Sequence, residues 1–152
     1  MSTPEERLAE LGLSVPEVAK PVAVYVPATR SGNLVFTSGQ VPLRSGELML
    51  TGKVGAEVSV EEAYECAKQC ALNAIAAVRA EVGDLSAVKR VVKVVAFVAS
   101  TPDFTGQPVV ANGASELLGK VFGDAGVHAR SAVGVTVLPL DAPVEVEIVV
   151  EV

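Results

Sequence analysis

The stretch VEVEIVVEV at residues 144–152 is the most informative part of the sequence, because Val or Ile occupies every even position. This alternation is typical of a β-strand with one buried face. Residues 131–137 carry valine at the odd positions 133, 135 and 137. Since the linker between the two stretches is short, the sequence predicts a hairpin with Val137 opposite Val144. The other face of that hairpin, which water or a partner chain must cover, would then carry Arg130, Ala132, Gly134, Thr136, Glu145, Glu147 and Glu151.

Three helices are predicted from capping signals and apolar periodicity. The clearest begins at the capping box Ser59-Val60-Glu61-Glu62 and continues with apolar residues at helical spacing as far as Gly83. A second long helix is expected after Pro108 and runs toward Phe122. Near the N-terminus, Thr3-Pro4-Glu5-Glu6 predicts a short helix.

The remaining apolar stretches predict strands at residues 22–26, 34–37 and 88–98, with turn residues at 30–33 and a hairpin region at 43–50 that turns at Ser45-Gly46. This order of elements predicts an α+β fold, in which two long helices pack on one face of a mixed β-sheet. A chain of 152 residues is long enough for one domain with its own core.

Composition and charge narrow the function classes. The formal net charge is −6, and no basic cluster is longer than Lys89-Arg90, which argues against nucleic acid as the main partner. No apolar run reaches the roughly 18 residues that a membrane span needs. The acidic N-terminus is unlike a secretory signal, so we expect a cytoplasmic protein without a membrane partner.

The cysteines and the single histidine carry little chemistry. Cys66 and Cys70 lie four residues apart on the predicted helix, where the Cβ separation is about 5–6 Å, longer than a disulfide allows. We therefore expect two free thiols at the edge of a buried face. His128 is the only histidine, so a zinc site is not expected.

Two signatures resemble those of the reactive intermediate deaminase A (RidA/YjgF) family. The first is Asn33-Leu34-Val35-Phe36-Thr37-Ser38-Gly39-Gln40-Val41-Pro42, and the second is Arg130-Ser131-Ala132-Val133 followed by Leu138-Pro139 and Val144-Glu145-Val146-Glu147. The resemblance implies a chorismate-mutase-like fold over residues 21–152, preceded by an N-terminal helical extension at residues 1–20. It also implies a homotrimer with active sites between subunits, and neither a cofactor nor a metal.

By the same resemblance, five residues form the site. Arg130 would bind the substrate carboxylate, and Glu145 would activate water. Tyr25, Ser38 and Asn112 would supply further polar contacts, with Tyr25 in a catalytic role. The family's frequent cysteine two residues after the arginine is Ala132 here, so no thiol can act at that position.

Each of these residues also has a purely structural interpretation. Arg130 can form a salt bridge to a glutamate at a subunit interface, and Glu145 can be a solvated residue of a sheet face. Tyr25 can be half-buried packing on a strand, and Asn112 can cap the second helix. For His128, an exposed loop residue is favoured over a general base.

Three functions follow from these alternatives. The first is hydrolytic deamination of reactive 2-imino or enamino acids of the 2-aminoacrylate type to 2-keto acids and ammonia. The second is a non-catalytic trimeric module that binds small carboxylates or proteins. The third is a ribonuclease or translation inhibitor, a description that the family has also carried and that the acidic charge disfavours.

The predicted hairpin has a geometric consequence for the site. In its register Arg130 lies six residues along the strand from the partner of Glu145, which is roughly 20 Å at the rise of a β-strand. We therefore expect Arg130 and Glu145 to meet in one site only if they come from different subunits.

Overall fold

The computed structural model describes residues 2–18 and 24–152, and within them the chain forms three α-helices and seven β-strands. The helices are α1 (Pro4–Glu10), α2 (Val60–Val82) and α3 (Gln107–Phe122). The strands are β1 (Ala28–Ser31), β2 (Leu34–Thr37), β3 (Leu43–Arg44), β4 (Glu47–Leu48), β5 (Arg90–Ala99), β6 (Ala129–Val135) and β7 (Val144–Glu151). The predicted α+β fold is confirmed.

One mixed five-stranded sheet, in the order β1-β2-β7-β5-β6, organises the molecule, and β3 and β4 form a separate small hairpin that turns at Ser45-Gly46 as predicted. Strands β5 and β6 run parallel, whereas the other neighbours are antiparallel. The even residues of β7, from Val144 to Val150, are buried beneath the long helices. Both helices therefore pack on one face of the sheet, and the opposite face is left without a covering layer from the described residues.

The long helices begin and pack as their sequences indicate. At the start of α2, Ser59 and Glu62 cap each other's backbone N–H groups at 3.1 and 3.0 Å, which confirms the capping box. Gly113 of α3 faces the backbone of α2 so closely that a Cβ atom there would lie 2.1 Å from the carbonyl oxygen of Tyr64. The glycine thus sets how near α3 approaches α2, and with it the position of the polar residues on α3.

The predicted hairpin between the last two strands is wrong. Strand β5 lies between β6 and β7, and β6 pairs with β5 in parallel, with Arg130 beside Val94. The physical reason lies in β5, whose residues are apolar on both faces, so that it suits the centre of a sheet. The apolar alternation of residues 131–137 therefore belongs to the uncovered face, and Arg130 faces the helices.

Strand boundaries also differ from the predictions. Strand β6 runs from Ala129 to Val135, so Val137 follows the strand and is 61% exposed. The first strand begins at Ala28 rather than at residue 22, and residues 24–26 are exposed and outside any strand, while residues 22 and 23 lie outside the described residues. Only Gly32 and Asn33 form the turn, because Arg30 and Ser31 belong to β1.

The N-terminal helix α1 is present and packs against the rest of the chain. Leu8 is buried, and Arg7 Nη1 donates to the carbonyl oxygen of Val121 at 3.2 Å. A carboxylate oxygen of Glu5 accepts from the backbone N–H of Leu85 at 3.2 Å. These contacts join α1 to the C-terminal end of α3 and to the turn before β5. The division into an extension at residues 1–20 and a domain at residues 21–152 stays a prediction.

Cys66 and Cys70 are free and fully buried within α2, as expected for thiols without a disulfide, although they lie inside the buried face rather than at its edge. Burial raises the pKa of the Cys66 thiol to about 11, and it raises the pKa of the Cys70 thiol as well. Both sulfurs therefore stay protonated and unreactive in the folded protein.

Candidate active site

Arg130 lies on the edge strand β6 and reaches across to α3. Its Nη1 donates to Asn112 Oδ1 at 2.8 Å and to Ser115 Oγ at 3.2 Å, and its Nη2 donates to the carbonyl oxygen of Pro108 at 3.3 Å. Pro108, Asn112 and Ser115 are spaced four and three residues apart, so they form one stripe along α3. The helix thus offers Arg130 three neutral oxygen acceptors in a row.

The charge of Arg130 has no counter-ion within the described parts of the chain, where Lys53 and Asp141 form the one ion pair. Its half-buried guanidinium carries five N–H donors, and the three hydrogen bonds to α3 leave Nε–H and one Nη2–H without a protein acceptor there. Two N–H groups of this kind form the fork that binds a carboxylate through parallel hydrogen bonds. The arrangement suits a small carboxylate ligand.

Ser115 and His128 extend this hydrogen-bond chain. Ser115 Oγ lies 2.8 Å from His128 Nε2, and His128 Nδ1 lies 2.6 Å from the carbonyl oxygen of Gly126. His128 is in the loop before β6, as predicted, but it is half-buried rather than exposed. Ser115 is not among the predicted site residues, although its position three residues after Asn112 places both side chains on one face of α3.

Glu145 faces the uncovered side of the sheet. It is paired with Phe97, which is paired in turn with Val133, and all three lie on the face opposite Arg130. A Cβ atom on Gly39 would lie 2.4 Å from Glu145 Oε2, so the carboxylate rests against the Gly39 backbone. Burial, and then the neighbouring charge of Glu147, raise the pKa of Glu145. A carboxylate whose pKa is raised is a stronger base, which suits it for proton transfer.

Tyr25 and Ser38 lie together near the other edge of the sheet. Ser38 Oγ donates to the carbonyl oxygen of Val26 at 2.5 Å and so fixes the segment that carries Tyr25. Both residues line an open cavity of about 390 Å³, together with Phe36. Tyr25 is 53% exposed and outside any strand, so the interpretation as half-buried strand packing is wrong.

The structure therefore brings the five candidate residues together only in part. Arg130 contacts Asn112, which lies in the middle of α3, so the interpretation of Asn112 as a helix cap is wrong. Tyr25 and Ser38 share a cavity beside β2, three strands away from β6, which is roughly 14 Å at the usual strand spacing. Glu145 lies on the face of the sheet opposite to Arg130. Within one chain these groups form separate half-sites.

The described residues offer neither a membrane-spanning helix nor a metal-binding cluster. No helix among them is long and apolar enough to cross a membrane. They also contain no group of three or more His, Cys, Asp or Glu side chains placed to hold a metal ion.

A mixed sheet covered on one face by two long helices, with Arg130 on its edge strand, is typical of a chorismate-mutase-like α+β protein. The family model described as "YjgF/chorismate_mutase-like, putative endoribonuclease" matches residues 5–152. The chain belongs to this RidA/YjgF family.

Proteins similar to this chain carry different functional descriptions. The chain is 34% identical over 140 residues to a 2-iminobutanoate/2-iminopropanoate deaminase of Dermatophagoides farinae, covering 91% of this chain and 93% of that protein. It is 48% identical to Atu1372 of Agrobacterium tumefaciens, a protein of unknown function, with a TM-score of 0.93 over 98% of this chain and 92% of the other. A "putative endoribonuclease" from Shewanella oneidensis MR-1 is 35% identical, with a TM-score of 0.97 over 99% and 100% of the two chains.

Proposed function

We propose that the chain hydrolyses 2-imino acids and their enamine tautomers, of the 2-aminoacrylate type, to 2-keto acids and ammonia. The observation that carries this proposal is the half-buried Arg130 guanidinium, which is held by neutral oxygens and has no carboxylate partner among the described residues. An imino acid supplies the missing carboxylate next to the carbon that water attacks. The deaminase among the relatives supports the same chemistry.

The proposed reaction needs positioning and proton transfer. Water adds to the C=N carbon while one of its protons passes to the nitrogen, which gives a carbinolamine. The hydroxyl proton then also passes to the nitrogen, and the C–N bond breaks to release ammonia and leave a C=O group. Glu145 suits the role of proton carrier because its pKa is raised, so it can accept a proton from water and return it to the departing nitrogen. Holding the substrate through its carboxylate supplies orientation, which is a large part of the rate enhancement that such a step requires.

We further infer that each active site forms between copies of the chain in a homotrimer. The half-sites of one chain lie at opposite edges of the sheet, and Glu145 faces away from Arg130. The uncovered face also presents apolar side chains to the solvent, among them Phe36 and Val133, which are 39% and 44% exposed. A neighbouring copy that packs on this face and also around the β6 edge would cover them and bring its own Glu145 and Ser38 to Arg130, which lies on that edge strand.

The test is release of keto acid and ammonia from freshly generated 2-aminoacrylate by the wild-type protein and by Arg130→Ala. Arg90→Ala serves as the matched control, since Arg90 is an exposed arginine on a different strand. The proposal expects turnover in the wild type and the control and its loss in Arg130→Ala. Full turnover in folded Arg130→Ala would place the substrate anchor elsewhere. Binding of pyruvate that depends on Arg130, without any turnover, would support the non-catalytic carboxylate-binding module instead.

A further inference from the structure

The hydrogen-bond chain from Arg130 to Gly126 has a defined direction. A carbonyl oxygen only accepts, so His128 Nδ1 carries the proton that is donated to Gly126 over 2.6 Å. In the neutral ring Nε2 is then an acceptor, and Ser115 Oγ–H is the donor to it over 2.8 Å. The lone pairs of Ser115 Oγ are thereby turned toward Arg130, whose Nη1–H they accept at 3.2 Å. The carbonyl group of Gly126 thus orients His128, His128 orients Ser115, and Ser115 orients Arg130.

The far end of this chain is rigid. Gly126 is buried against α3, and a Cβ atom at this position would lie 2.4 Å from the carbonyl oxygen of Leu118. Only a glycine backbone comes so near to the helix, so the segment whose carbonyl group accepts from His128 is packed directly against α3. The position of the imidazole is fixed in turn, because both of its nitrogens are hydrogen-bonded.

We propose that Ser115 and His128 are positioning residues for Arg130, which hold its guanidinium so that Nε–H and one Nη2–H point at the substrate carboxylate. The proposal rests on the proposed role of Arg130. A free arginine side chain loses rotamer entropy when a ligand immobilises it, and this cost is smaller when the protein has already fixed the side chain. Without His128 the Ser115 hydroxyl is free to rotate, so its lone pairs are no longer held toward Arg130, and only the contacts with Asn112 and Pro108 keep their orientation.

The experiment measures the Kd of pyruvate, the simplest 2-keto acid product, by isothermal titration calorimetry, alongside thermal unfolding. The variants are Ser115→Ala, Ser115→Thr, His128→Ala and His128→Gln. Ser86→Ala is the control, because Ser86 is exposed on a distant turn and donates no side-chain hydrogen bond in the structure. We expect Ser115→Ala and His128→Ala to weaken binding about tenfold, near the lower end of the effect of one hydrogen bond to a charged group.

The conservative variants separate positioning from general stability. Threonine keeps the hydroxyl group, and glutamine places an amide oxygen near the site of Nε2, so both should restore most of the affinity. Affinity that stays low in Ser115→Thr and His128→Gln, or that is unchanged in Ser115→Ala, would overturn the proposal. Loss of affinity only in variants whose unfolding temperature also falls would assign the pair a structural role and overturn it as well.

A double-mutant cycle distinguishes failure of this inference from failure of the proposed function. In an Arg130→Ala background, Ser115→Ala should cause no further loss of pyruvate affinity, since Ser115 acts through Arg130. An additional tenfold loss would show that Ser115 binds the ligand independently and would overturn the positioning role. These measurements require no turnover, so an inactive wild-type protein would contradict the deaminase proposal and leave this result intact.

Discussion

The two edges of the central sheet differ in how completely each prepares its half of the proposed site. At the β6 edge Arg130 is held by three hydrogen bonds to α3. One of its partners, Ser115, is held in turn by a hydrogen bond to His128. At the β1 edge Tyr25 is exposed, and Ser38 donates only to the backbone of Val26. The first edge carries a positive charge held in place by hydrogen bonds, and the second carries neutral polar side chains. The difference supports a site completed by a second copy of the chain.

The largest expected effect is at the charged edge. Arg130→Lys should keep the fold and lose most deaminase activity, because a lysine ammonium cannot reproduce the two parallel hydrogen bonds of the guanidinium. Loss of one well-placed charged contact in the transition state costs roughly 2–4 kcal/mol, which lowers kcat/KM by about 30-fold to 900-fold. Steady-state kinetics with circular dichroism as a folding check measure this effect. Near-normal kcat/KM in the folded variant would contradict the proposal that the β6 edge binds the substrate through the guanidinium of Arg130.

A second substitution tests whether activity depends on the position of the Glu145 carboxylate, which lies against the backbone of Gly39. Gly39→Ala introduces a Cβ atom 2.4 Å from the present position of Glu145 Oε2, so the carboxylate must move. We expect kcat to fall by about tenfold, within the range that proton transfer by one group contributes. Gly119→Ala is the matched control, because a Cβ atom at position 119 has no atom within 4 Å. Equal kcat values for the two alanine variants would mean that the position of Glu145 does not matter.

A smaller effect is expected at the β1 edge. Tyr25→Phe removes the hydroxyl group and keeps the ring that lines the cavity with Phe36. If the hydroxyl group donates one hydrogen bond to substrate or water, kcat/KM should fall about threefold to tenfold. The measurement is the same steady-state assay, and thermal unfolding should be unchanged because Tyr25 is exposed. A loss as large as that of Arg130→Lys would show that the two edges contribute equally.

The smallest effect concerns stability and pH. The pKa of Glu145 is raised in the folded chain, so the folded state holds this proton more tightly than the unfolded state. The free energy of unfolding therefore falls as the pH rises from the ordinary pKa of 4.5 to the raised pKa of the folded state, because Glu145 ionises more readily in the unfolded chain. Glu145→Gln should stabilise the protein at pH 7, and the gain should disappear below that pH range. Denaturant unfolding at several pH values checks this, and a gain that persists at pH 3 would contradict the assignment.

The sequence predicts correctly the helices and strands whose signals lie within the element itself, such as α2 and β7. The capping box at Ser59 and the helical spacing of apolar residues indicated α2, and its end at Gly83 agrees with the structure. The alternation of residues 144–152 indicated β7 and its buried face. These signals depend on neighbours within a few residues, which a single sequence contains.

Strand pairing was not predictable in the same way. Alternation shows that β6 has two different faces, but it does not show which strand lies beside it or which face meets the helices. The six-residue linker at residues 138–143 is compatible with a hairpin between neighbouring strands. In the structure β6 and β7 are not neighbours, because β5 lies between them. The hairpin therefore predicts the wrong face for Arg130, and the distance of roughly 20 Å to Glu145 along that hairpin is wrong with it. That the two residues meet only across subunits stays a prediction.

The central claim is that Arg130 of one copy and Glu145 of another serve a single active site, and a mixing experiment tests it most directly. Arg130→Ala and Glu145→Ala chains, each inactive alone, are unfolded together, refolded and assayed with 2-aminoacrylate, beside wild-type chains treated in the same way. Mixed oligomers would contain interfaces with both native residues, so the account predicts recovery of part of the wild-type activity. A mixture that stays inactive while the refolded wild type recovers would contradict a site shared between copies.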